Sequence, residues 1–146
     1  MPEPTEDQIA KMKVIVAKHI EGFKALPEEV RNKYAAEKAK DEAIPMEQRE
    51  DFVKIGEIFK ACDANNDGVL DKAEFAEFQK MLFAHRDAKY GGHVHPDEAQ
   101  EQAWCEIAFS VSEPHDSLTL EDLAYMGKLS EIASKSWTFD AWKWIQ

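Results

Sequence analysis

Residues 63–74 read DANNDGVLDKAE, and the fold and chemistry of the chain turn on how that stretch is understood. Oxygen-bearing side chains recur at every second place, Asp63, Asn65 and Asp67. Gly68 follows, then Val69, Leu70, Asp71 and, at the twelfth place, Glu74. A hard divalent cation takes six to eight oxygens at about 2.3–2.6 Å. Alternate short side chains on a tightly wound loop can supply several of them at one point. Gly68 suits the sharp turn, because a glycine has no Cβ to obstruct it.

The flanks agree with a loop held between two helices. Upstream, Phe52, Ile55, Ile58, Phe59 and Cys62 recur at three- and four-residue steps and predict a helix that stops at Asp63. Downstream, Phe75, Phe78, Met81 and Leu82 predict the helix that leaves the loop. With these flanks, residues 52–83 resemble a member of the EF-hand superfamily.

The resemblance implies a calcium site formed by Asp63, Asn65, Asp67, the Val69 carbonyl, Asp71 and Glu74, the last with both carboxylate oxygens. Four acids and a neutral Asn65 imply one Ca²⁺ bound with an affinity of about 10⁻⁷–10⁻⁵ M. EF-hands usually occur in pairs whose loops touch at the eighth position, so Leu70 should have a partner. Leu118 is the candidate. Trp104, Ile107, Ala108 and Val111 give the spacing of an incoming helix, and the loop 112–122 follows. That loop departs from the pattern. It is one residue short, has no glycine at the turn, places Pro114 where a ligand is wanted, and carries Ser112 and Asp122 at its ends. It is expected to be a structural partner that holds no calcium, with a weak or magnesium-type site as the alternative. His115 reads as an exposed loop residue.

The rest of the chain supplies further helices and no strand-length alternation. Thr5 with Gln8 forms a capping-box signature ahead of Ile9, Met12, Val16, Ile20 and Phe23. Pro27 opens a polar second helix with only Val30, Tyr34 and several alanines to bury, ended by Ile44-Pro45, its charges read as a solvated face. Residues 85–96, HRDAKYGGHVHP, read as a linker, and Pro96-Asp97 opens the next helix. Leu120, Leu123, Met126, Leu129 and Ile132 mark a last helix before the tail SWTFDAWKWIQ. Trp137, Phe139 and Trp142 of that tail either fill the groove of the hand pair or form core between the pair and the N-terminal helices. The expected fold is therefore all-α. Residues 1–44 form an N-terminal helical extension, and residues 45–146 hold the EF-hand pair and the aromatic segment, in one domain.

Composition excludes several functions. The 146 residues carry 29 acidic against 18 basic side chains, a formal charge of −11, which is unsuited to nucleic acid or anionic lipid. Eight Phe, four Trp and three Tyr can build a core. Two cysteines, Cys62 and Cys105, make no disulfide framework and read as free thiols inside helical patterns. No run approaches the roughly 20 apolar residues of a membrane span, and MPEPTEDQ has no secretory pattern. His85, His93 and His95 with Asp87 or Asp97 offer a zinc or copper alternative, outweighed by exposed linker histidines. No phosphate loop or nucleophile elbow is present, so no catalysis is expected. The reading is a monomeric, cytoplasmic calcium sensor that exposes apolar surface to a protein or peptide target on binding. A calcium buffer that barely moves, or a calcium-independent adaptor module, are the alternatives.

Overall fold

The first helix shows how directly local chemistry sets the architecture. Thr5 Oγ1 accepts from the Gln8 amide and Gln8 Oε1 from the Thr5 amide, each at 3.1 Å, satisfying two of the amides a helix start leaves unpaired. In this computed structural model, which describes residues 3–92, 94–112 and 116–134, α1 then runs over Glu6–Lys24 and α2 over Glu28–Glu42. A short 3-10 turn, Met46–Gln48, leads into α3, Glu50–Cys62, and the loop 63–71 into α4, Lys72–Tyr90. Helices α5, Glu98–Val111, and α6, Leu120–Ser134, complete the described chain. Among the described residues the regular secondary structure is all helical, apart from one isolated bridge between Leu70 and Leu118. No described helix is long and apolar enough to cross a membrane.

Two apolar clusters hold these helices. The larger gathers Met12, Ile15 and Val16 of α1, Ile58 and Phe59 of α3, Phe75, Phe78 and Leu82 of α4, and the inner faces of α5 and α6. Helix α1 lies on α5 and α6, and α3 lies on α4. Tyr125 of α6 donates its hydroxyl to Gln8 Oε1 of α1 at 3.2 Å, which gives a buried phenol the polar partner it requires. The smaller cluster joins Phe23, Tyr34, Tyr90 and Val94. Tyr34 stands edge-on to Phe23 at 5.1 Å and tilted against Tyr90 at 4.5 Å. Val94 fits against Gly22, where a Cβ would lie 2.8 Å from Val94 Cγ1. The segment between α4 and α5 is thereby seated on the α1–α2 hairpin.

Several expectations change. Residues 85–90 belong to α4 and are no linker: the buried stripe Phe75, Phe78, Leu82, Arg86, Tyr90 keeps the helical period, and Gly91, at φ 72°, ends it. A buried arginine in that stripe conceals the period from a hydrophobicity pattern. His85 is accordingly sheltered between helices, its side chain 15% exposed. Helix α2 ends at Glu42 with Ala43 as its cap, ahead of Ile44-Pro45, and its charges are not all solvated, since the Lys38 side chain is 12% exposed. Phe52, Met81, Leu120 and Ile132, expected to line core, are exposed. Ile15 and Tyr125, absent from the expected stripes, are buried. Both cysteines are free. The aromatic segment with Trp137, Phe139 and Trp142 lies outside the described residues.

Candidate metal centre

The loop between α3 and α4 is organised by its own carboxylates. Asp63, at the end of α3, is buried, and its two oxygens accept from the amides of Asp67 at 3.2 Å and Gly68 at 2.8 Å. Asp67 Oδ1 accepts from the Val69 amide at 3.1 Å. That backbone bond is the main cause holding the Asp67 carboxyl below its ordinary pKa, with Asp63 and Asn65 assisting beside it. The turn needs two left-handed residues, Asn66 at φ 55° and Gly68 at φ 82°. Asparagine tolerates that region better than other side chains. Asn66 is the part of the turn that a reading centred on Gly68 passes over.

Asp71 and Glu74 have a second role the sequence reading missed. Asp71 Oδ1 accepts from the Glu74 amide at 2.8 Å while Glu74 Oε1 accepts from the Asp71 amide at 3.0 Å. This is a capping box that starts α4, and its signal, D-x-x-E at residues 71–74, is plain in the sequence. Glu74 Oε2 meanwhile accepts from the Ala64 amide at 3.1 Å. One side chain thus ties the entry of the loop to its exit.

Leu70 and Leu118 join this loop to the next. Each amide donates to the other's carbonyl at 2.8 Å, and both side chains are fully buried. Phe75, directly after Glu74, meets Phe109 of α5 edge-on at 5.8 Å. In the second loop the Ser112 hydroxyl is buried and donates back to the Phe109 carbonyl at 3.1 Å. Asp122 Oδ2 accepts from the Thr119 amide at 2.9 Å and its own amide donates to Thr119 Oγ1 at 3.2 Å, so Thr119 caps α6 and Asp122 completes the capping box. Pro114 and His115 lie outside the described residues.

The donor set of the first loop is oxygen-only: carboxylates, one side-chain amide and backbone carbonyls. Such a set suits Ca²⁺ or Mg²⁺ over softer metals. As they stand, carboxylate oxygens of Asp63, Asp67, Asp71 and Glu74 are engaged with backbone amides, and among the described residues no three His, Cys, Asp or Glu side chains are gathered as a ready-made metal cluster. Of the histidine alternative, the structure pairs His95 with Asp87 at 2.6 Å, whereas His85 faces Asp51 at 3.7 Å. His93 lies outside the described residues. Cys62 and Cys105 have thiols made less acidic by burial first, then by neighbouring glutamates, which suits inert thiols. No protein-family model, curated protein or solved structure matches the chain.

Proposed function

We propose that this is a calcium-binding protein of the EF-hand kind, taking one Ca²⁺ through Asp63, Asn65, Asp67, the Val69 carbonyl, Asp71 and Glu74. Helices α3 and α4 form the binding hand, and α5 and α6 form a partner hand that supports it without an ion. The observation that carries this reading is the reciprocal pair of hydrogen bonds between Leu70 and Leu118. It sets two helix–loop–helix units loop to loop, at the position the superfamily resemblance names. Further support comes from the left-handed Gly68 at the sixth place, and from Ser112, whose hydroxyl is spent on its own helix.

The protein's residues have separable parts in this. Asp63 shapes the turn, Asp71 and Glu74 start α4, and the same oxygens carry the negative charge that attracts the cation. The bound ion would neutralise carboxylates that otherwise repel one another. A sensor acting as a cytoplasmic monomer would offer apolar surface to a protein or peptide target. A buffer reading is favoured by one observation: α1 already buries Met12, Ile15 and Val16 with the apolar residues of α5 and α6, covering surface that a target helix would otherwise take. Calcium calorimetry combined with Glu74→Gln tests the assignment. Saturable binding that this variant weakens at least about tenfold supports it; equal binding by both proteins sinks it.

A further inference from the structure

We infer that Asp51 is a positioning residue, the centre of a latch joining the ends of α3 and α4 that lie farthest from the calcium loop. The binding hand therefore takes its ion without swinging open. This rests on the calcium reading of residues 63–74.

The latch is built from three helices. Asp51, in the first turn of α3, accepts from Lys38 Nζ of α2 at 2.6 Å, and from Tyr90 Oη and Lys89 Nζ of α4 at 3.1 and 3.4 Å. His85 Nε2 of α4 stands 3.7 Å away. Lys89 also reaches Glu50 at 3.6 Å and Asp41 at 3.9 Å. The central pair is sheltered, the Lys89 side chain being 9% exposed and that of Asp51 16%, whereas Glu50 is exposed. Aromatic rings back the cations: Lys38 lies 5.5 Å from the Tyr34 ring centre and Lys89 5.4 Å from that of Tyr90. Burial alone would push the Asp51 carboxyl's pKa up, but Lys38, Lys89 and Arg86 outweigh it and hold the group ionised.

Geometry makes the position decisive. Asp51 stands twelve residues ahead of Asp63, about 18 Å along the helix at 1.5 Å per residue. A sensor hand opens by about 40°, and over that lever the free end of α3 would travel about 12 Å. None of the contacts at 2.6–3.4 Å around Asp51 survives such a movement, and sheltered charges would lose their partners. Ion binding at the loop and exposure of the apolar groove are thereby uncoupled in the native chain.

The test combines calcium calorimetry with the fluorescence of anilinonaphthalene sulfonate on the full chain, for the native protein, Asp51→Asn and Tyr90→Phe. Native protein is expected to bind Ca²⁺ with less than a twofold change in dye fluorescence. Asp51→Asn should bind Ca²⁺ with a rise of several-fold, and Tyr90→Phe, which loses one hydrogen bond and keeps its ring, with a smaller rise. The milder variant decides the matter if Asp51→Asn does not fold. Calcium binding with a several-fold dye rise in the native protein overturns the latch alone, as do variants indistinguishable from native. No calcium binding by the native protein overturns both the latch and the site on which it rests.

Discussion

Leu70 and Leu118 exchange two backbone hydrogen bonds of 2.8 Å while both side chains are fully buried. Each is tied to the other's loop through main chain and core together, so the two loops cannot relax independently. Leu118→Ala should cost about 2–5 kcal/mol of stability, the usual range for a buried leucine truncation, read from the urea midpoint. It should also weaken calcium binding at residues 63–74, although Leu118 offers no ligand. Unchanged affinity in a folded Leu118→Ala protein would separate the loops functionally.

Glu74 gives a sharper test, because its two roles respond differently to one substitution. Glu74→Gln keeps an oxygen able to accept from the Asp71 amide, and glutamine serves as well as glutamate in a capping box. Its amide nitrogen cannot accept from the Ala64 amide as Glu74 Oε2 does, so calcium-free stability should fall by about 1 kcal/mol, the net worth of one hydrogen bond. Calcium affinity should fall at least about tenfold, or about 1.4 kcal/mol. A chemical melt without calcium and a calorimetric titration separate the two outcomes.

Much of this architecture can be read from residue order, and the exceptions have physical causes. Capping residues Thr5 and Asp97 mark helix starts because their oxygens meet amides three residues on. The stripes of α1, α3 and α5 show because their buried positions are apolar. The second half of α4 is hidden because its buried positions include Arg86 and Tyr90, and charge reads as surface until a partner such as Asp51 is known. That partner is 35 residues away in sequence, between Asp51 and Arg86, and no local pattern links them. The residues proposed as calcium ligands follow a local spacing rule, so residue order alone can nominate them. Their present hydrogen bonds to amides are not legible, since they depend on the fold of the turn.

The Asp51 latch also predicts behaviour in acid. The folded-state pKa of Asp51 lies well below its ordinary value of 3.8, so folding is favoured by its ionisation. That contribution is fully present above pH about 4 and is lost as pH falls toward the lowered folded-state value. Asp51→Asn should be less stable than native protein at neutral pH, and the difference should shrink below pH 4. Urea melts across that range give the result; a constant difference would contradict it.

Two glycines inside helices should respond oppositely to alanine. A Cβ on Gly56 of α3 would meet nothing within 4 Å, so Gly56→Ala should stabilise by about 0.5–1 kcal/mol. At Gly22 of α1 the added Cβ would stand 2.8 Å from Val94 Cγ1. Valine is stiff at χ1, so Gly22→Ala should destabilise by about 1 kcal/mol. Thermal melts of the two variants should move in opposite directions.

Calorimetric titration of the full chain with Ca²⁺ bears most directly on the central claim. One ion per chain with a dissociation constant of about 10⁻⁷–10⁻⁵ M is the expected result. No binding heat at any temperature tried up to millimolar Ca²⁺, or two ions bound with similar affinity, would contradict it.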